Sequence, residues 1–258
     1  TIIMLPFSDV YNEVSEVAGL LHQKGWAEKN AGNFSIRLED EIGFNSSTKD
    51  YQLPNTFLKL AGSIFLVSGK GRRMRDIARS PADNMVMIKI STKGDSYTTI
   101  NDNQLFLPTS ELLTHLAIHC MIAERASKEK AVIHTHVTEL IALTHIKEFC
   151  EQDNLNSLLW KMHPETIMFL PNGVGFVPFE LPGSAKIATE TVDALKNHQI
   201  ALWEKHGVFS IAPNLNDCYD LIDIAAKSAE IYFKCASTGT LPQGLSDDKL
   251  EKIKKIEF

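Results

Sequence analysis

The sequence predicts a mixed α/β, three-layer fold in which a central, mainly antiparallel β-sheet is flanked by helices. Three observations lead there. Short runs of β-branched and aromatic residues recur along the chain, and two of them, 85–90 and 97–100, are split by a Lys93-Gly94-Asp95 turn, as in a hairpin. Segments with an apolar period near 3.6 alternate with these runs. No Gly-x-Gly-x-x-Gly follows a strand, which disfavours a doubly wound dinucleotide fold. With 258 residues, no repeat and no linker-like tract, one domain over 1–258 is expected.

The elements follow in order. Ser8 caps a helix to about residue 24 with Val10, Val14, Val17, Leu20 and Leu21 on its apolar face, and Gly25 ends it. A polar turn, Asn30-Ala31-Gly32-Asn33, leads into a strand over 34–38. Residues 39–60 read as loop with some helix, and 63–67 as a strand running into Ser68-Gly69-Lys70-Gly71. After the hairpin, Pro108-Thr109-Ser110-Glu111 opens a helix to about residue 125. A strand over 131–136, a helix over 137–146 and a helical excursion over 147–165 come next. Thr166 to Leu170 reads as a strand because it is short, apolar and partly β-branched. A helix over 183–197, strands over 200–203 and 208–212, a long helix over 216–237 and a short charged helix complete the chain.

Bulk properties narrow the function. Hydrophobic residues make up 44% and charged residues 22%, ordinary for a globular protein, and no apolar run is long enough to span a bilayer. The first residues carry no basic stretch ahead of an apolar core, so a cytoplasmic location is expected. Net charge is −6, and Arg72, Arg73 and Arg75 form the one dense basic cluster, so no nucleic-acid partner is expected. Four cysteines without a Cys-x-x-Cys pair read as free thiols.

The chemistry-bearing residues begin with Ala131-Val132-Ile133-His134-Thr135-His136. Residues at i and i+2 of a strand share a face, so two imidazoles can meet one cation, and imidazole favours zinc, copper, iron or nickel. His206, at the end of Ala201-Leu202-Trp203 and before Gly207, is the candidate third ligand, leaving an open coordination position. His115 and His119, at i and i+4 of a helix, are the competing pair; packing or helix-surface hydrogen bonding is the plainer reading, since no metalloprotease motif is completed. His22, His145, His163 and His198 read as structural. Glu111 admits two readings here: helix punctuation, or a proton-moving carboxylate beside an anion held by backbone N–H groups and the Thr109 and Ser110 hydroxyls. The 30–33 and 68–71 segments are turns with amides, and one lysine, suited to a phosphate.

These pieces, in this order over residues 30–207, resemble the class II aldolase/adducin family: Asn30 to Asn33, Ser68-Gly69, Thr109-Ser110-Glu111, His134-Thr135-His136 and His206-Gly207. Within it, the long stretch before Glu111, the Met162-His163-Pro164-Glu165 segment and the Ile231-Tyr232-Phe233-Lys234 ending resemble the branch acting on L-rhamnulose 1-phosphate. Lys70 stands where the family has a small hydroxyl residue.

The resemblance implies a lyase of L-rhamnose catabolism that splits this sugar phosphate to dihydroxyacetone phosphate and L-lactaldehyde. It implies one zinc per subunit on His134, His136 and His206, stabilising an ene-diolate, with Glu111 as acid/base and Glu165 as a second one near the aldehyde half. Asn30, Gly32, Asn33, Lys70, Gly71, Thr109 and Ser110 would hold the phosphate, and the assembly would be a homotetramer. The rivals are a fuculose-phosphate aldolase, a pentulose-phosphate 4-epimerase, a dehydratase on the same scaffold, or a non-catalytic adducin-like module. A Schiff-base mechanism would need a lysine in an apolar strand, for which Lys89 is the candidate.

Overall fold

In the computed structural model, which describes residues 8–39, 50–99 and 107–256, nine strands form one sheet. The strands are β1 (Asn33–Leu38), β2 (Asp50–Gln52), β3 (Ile64–Ser68), β4 (Met85–Ile90), β5 (Ser96–Thr99), β6 (Ala131–Thr135), β7 (Gly175–Val177), β8 (Ile200–Trp203) and β9 (Gly207–Ala212). Their spatial order is β2-β5-β4-β3-β1-β6-β9-β8-β7, and every pairing is antiparallel except β7 with β8.

Helices cover both faces. They are α1 (Ser8–Gln23), α2 (Met74–Arg79), α3 (Pro81–Asn84), α4 (Leu112–Glu124), α5 (Thr138–Leu143), α6 (Gln152–Met162), α7 (Pro164–Phe169), α8 (Ala185–Leu195), α9 (Leu215–Ala236) and α10 (Asp247–Ile253). Strand alternation divides the core between the two faces. Phe34, Ile36, Ala131, Ile133, Leu202 and Val208 pack with α1, α5, α6 and α9. Val132, Ala201, Trp203, Phe209 and Ile211 pack with α4 and α8, and Phe65, Val67, Val86 and Ile88 with the N-terminal half of α4.

Local chemistry sets the helix ends. Ser184 caps α8 by accepting the Ile187 N–H at 3.2 Å, and Asn214 caps α9 by accepting the Asp217 N–H at 2.7 Å. Gly25, at φ +74°, closes α1 as the spacing predicts.

The three-layer, mainly antiparallel architecture matches the sequence reading, with differences in detail. Residues 166–169 of the stretch expected as a strand belong to α7, and Leu170 follows as its C-cap. Pro164 at its first turn presets helical φ, and the Thr166 hydroxyl meets Ser228 of α9 at 2.7 Å, so tertiary packing overrides the β-branched signal. Strands β2 and β7, only three residues each, and the short helices α2 and α3 were not foreseen. Residues 40–49 of the expected loop and Ile100 of the expected hairpin lie outside the described residues. All four cysteines are free, and Cys218 is fully buried. Among the described residues, no helix is long and apolar enough to cross a membrane.

Candidate active site

The site forms where β1 and β6 lie side by side. Asn33 stands opposite His134 and Ser35 opposite Val132. Because Phe34, Ile36 and Ile133 face α1 and α9, the alternate residues Asn33, Ser35 and His134 face α4. His136 follows just past the end of β6, where its N–H and the Thr135 hydroxyl both donate to the Trp26 carbonyl, at 2.9 and 2.7 Å. His206 comes from the tight corner between β8 and β9. There Lys205 adopts φ +58° and donates its N–H to Thr144 Oγ1 at 2.8 Å.

Gly207 makes this convergence possible. A Cβ at that position would lie 2.5 Å from the Thr135 carbonyl oxygen and 3.0 Å from the His136 ring. Gly32 is constrained similarly, with φ +78° and the His134 carbonyl 3.2 Å from where a Cβ would sit.

His134, His136 and His206 each bring one ring nitrogen to within 4.8 Å of the others. They are the one group of three or more such side chains able to share a metal among the described residues. The far nitrogens of two rings are fixed: His134 Nδ1–H donates to the Val208 carbonyl at 3.0 Å, and His136 Nδ1 pairs with Glu28 Oε1 at 2.7 Å. A histidine ligand is oriented in this way, by a carbonyl or carboxylate on its second nitrogen. His134 Nε2 is buried and has no hydrogen-bond partner. Burial pushes His134 below its ordinary pKa, and burial with the charge of the neighbouring rings pushes His206 down to about 4. His134 and His206 are therefore neutral at pH 7, the form that ligates. An orphaned buried nitrogen, three converging imidazoles and second partners behind two of them fit a divalent metal with an open position.

Glu111 Oε2 lies 3.6 Å from His134 Nε2 and accepts from Asn33 Nδ2 at 2.7 Å. Burial raises its carboxyl pKa, but the facing imidazoles and the Asn33 amide outweigh burial and hold it below the usual carboxylate range. Burial keeps His134 itself neutral at pH 7, and a cation held by the rings would supply positive charge there. The Glu111 side chain makes no helix-capping bond, so punctuation is not its role.

A cleft of about 230 Å³ joins these groups. Asn30, Gly32, Asn33, Gly71, Thr109, Ser110, Glu111 and all three histidines line it, as do Gly69 and Pro182. The Thr109 N–H donates to the Ser68 carbonyl at 2.8 Å, which holds the 68–71 turn against the segment that opens α4.

Some expected residues fall elsewhere. Lys70 is exposed and does not line the cleft; its N–H is taken by the Leu107 carbonyl at 2.7 Å. Arg72, past the left-handed Gly71, lines the cleft instead. Its signal was the basic cluster at 72–75, considered only for nucleic acid. Asn33 lines the cleft as expected, and its amide also spans Glu111 and His115. Glu165 does not line the cleft; it pairs with His163 at 3.0 Å on α7, which packs on α9 and α6. Lys89 is exposed on β4 and lines a separate cleft, an environment without the apolar enclosure a Schiff base needs. His115 and His119 are not on the helix surface but fully buried, bound to Ser35. Glu28 was missed altogether.

The pattern of the "Class II Aldolase and Adducin N-terminal domain" family matches residues 12–233. The chain is 39% identical over 247 residues to a rhamnulose-1-phosphate aldolase of Bacteroides thetaiotaomicron, covering 94% of this chain and 91% of that one. A protein of the same name from Yersinia pseudotuberculosis is 36% identical over 235 residues, covering 88% and 85%. The fold is similar to the crystal structure of a sugar-phosphate aldolase from Thermotoga maritima, with a TM-score of 0.80, 32% identity and coverage of 92% and 98%.

Proposed function

The chain belongs to the class II aldolase and adducin family, and we propose from that premise that it reversibly cleaves L-rhamnulose 1-phosphate to dihydroxyacetone phosphate and L-lactaldehyde, with zinc as its metal. The observation that carries this reading is the meeting of three imidazoles and one carboxylate, Glu111, in a single polar cleft.

His134, His136 and His206 hold the metal through one nitrogen each, with Glu28 and the Val208 carbonyl fixing two of the rings. When bound, the cation supplies Lewis-acid stabilisation of the negative charge that develops as C3–C4 breaks. Glu111 delivers a proton to C3 on cleavage and removes it in the synthetic direction. The 30–33 turn, Gly71, Thr109, Ser110 and the Arg72 guanidinium receive the phosphate, arginine being suited to bidentate contact. The hydroxyl proton at C4 must leave as the aldehyde forms. Glu165 takes it if a neighbouring copy supplies that side chain, since it does not line the cleft of its own chain. This reading carries a cytoplasmic homotetramer, which sedimentation at micromolar concentration tests.

The decisive experiment follows dihydroxyacetone phosphate released from L-rhamnulose 1-phosphate, before and after chelation and with zinc restored. Release that stops with chelator and returns with zinc is expected. Release that persists without metal overturns the metal assignment, and no release from the zinc-loaded protein overturns the substrate.

A further inference from the structure

Behind Glu111 a line of buried polar side chains runs inward between β1 and α4. Asn33, Ser35, His115 and His119 are 8%, 1%, 0% and 1% exposed. Asn33 Nδ2 meets Glu111 Oε2 at 2.7 Å, and Asn33 Oδ1 meets His115 Nε2. Ser35 Oγ lies 2.7 Å from His115 Nδ1 and 2.8 Å from His119 Nε2.

The chemistry of the groups allows one direction only. An ionised carboxylate accepts and cannot donate, so Asn33 turns its NH2 to Glu111 and its oxygen to His115. An amide oxygen only accepts, so His115 carries its proton on Nε2. Its Nδ1 is then a lone pair, which takes the Ser35 hydroxyl proton. Ser35 is left to accept from His119 Nε2–H. That leaves His119 Nδ1 as a bare lone pair, and this is the His119 atom that has no partner. The opposite tautomer would bury an unpaired N–H, the costlier defect. Burial pushes His115 down to about 3 and His119 well below its ordinary value, so each ring is neutral and carries the single proton that the arrangement requires.

We propose that His119, Ser35 and His115 are positioning residues: a one-way ladder of hydrogen bonds that fixes the Asn33 amide, anchors Glu111 by Oε2 and leaves its other oxygen to face the substrate. Glu111 Oε1 accordingly has no hydrogen-bond partner among the described residues. The ladder rests on the reading of Glu111 as the proton carrier for C3. It explains why two histidines at metal-compatible spacing are buried with three of their four ring nitrogens already hydrogen-bonded, and why a serine sits in a sheet interior. Without the ladder the amide can flip and turn its oxygen toward the carboxylate, displacing Glu111. Sub-ångström errors of that kind reach about 100-fold in rate.

Two measurements on the zinc-loaded enzyme test the ladder. Long-range 1H–15N imidazole spectra at neutral pH, assigned with single-histidine variants, should show His115 and His119 both as neutral Nε2–H tautomers. A Nδ1–H tautomer at either ring overturns the ladder whatever the substrate is. Exchange of the C3 proton of dihydroxyacetone phosphate into D2O reads the Glu111 step. His115→Phe should lower its kcat by about 10–100-fold with KM and zinc content unchanged. His115→Gln, which can present an amide N–H near the Nε2 position, should recover most of the loss. Ser35→Ala, the smallest change, should lower kcat in the same sense. Parallel loss of zinc and KM in His115→Phe, no rescue by His115→Gln, or an unchanged kcat in Ser35→Ala overturns the positioning role. A wild-type enzyme that neither exchanges this proton nor cleaves the sugar phosphate refutes the proposed reaction, while the ring tautomers still decide the ladder.

Discussion

Two groups of histidines share one face of the sheet and are put to opposite uses. His115 and His119 sit one helical turn apart on α4, and His134 and His136 lie two residues apart at the end of β6. Both spacings suit a metal. The difference lies in which ring nitrogens are already occupied. On α4, Asn33 takes one nitrogen of His115, and Ser35 takes the other together with one nitrogen of His119. In the cleft, Val208 and Glu28 hold only the outer nitrogens, and the inner ones converge. A neighbouring hydroxyl or amide removes a histidine from metal chemistry, and a carbonyl placed behind it commits it to that chemistry.

The largest expected consequence of that contrast is at a converging nitrogen. His134→Ala should abolish stoichiometric zinc by elemental analysis and lower turnover on the order of 1000-fold, several kcal/mol of charge stabilisation. A variant that keeps its metal breaks the distinction. Glu28→Gln sharpens it, since the ligands remain and only the support behind His136 weakens. Zinc affinity by competition with a chromophoric chelator should fall by about 10–100-fold. At the phosphate end, Arg72→Ala should raise KM for the sugar phosphate by about 10-fold or more, as for a lost charged hydrogen bond. Lys70→Ala should move it by less than about fivefold, as for an exposed charge.

A separate effect, on stability rather than on turnover, comes from the α4 pair. His115 titrates at about 3 in the fold against 6.5 for a free imidazole, and His119 also lies well below 6.5. Between those values the unfolded chain binds the proton and the fold does not, so stability is complete above pH 6.5 and falls as pH drops toward 3. Urea unfolding of the metal-free protein should lose about 1.4 kcal/mol per pH unit for each buried ring. His119→Leu should remove one ring's share of that slope, and an unchanged slope would mean that the ring is charged in the fold.

Much of this was legible in the chain. Alternation alone put His134 and His136 on one face, and the apolar strand before His206 made it the candidate third ligand. The sheet and the major helices follow from apolar period and turn chemistry. What was hidden depends on contacts between distant segments. Nothing local to Ser35 announces that β1 will carry it beneath α4, or that Glu28 will reach back to His136. Arg72 rather than Lys70 enters the cleft because Gly71 turns the backbone through a left-handed conformation, which composition does not reveal. Thr166 to Leu170 misled because a β-branched run of that length can be a strand or a buried helical turn. Pro164 and Ser228 decide it.

Gly207 has a consequence for ion choice. The missing side chain lets the β8–β9 corner rest against the carbonyl of Thr135, so the span between His206 and the β6 pair is set by backbone contact rather than by flexible side chains. With a metal held as proposed, the corner would act as a fixed caliper on ionic radius. Gly207→Ala, which must push that carbonyl away, should open the caliper and shift preference from zinc toward larger divalent ions, read as relative affinities for zinc and manganese on the same protein.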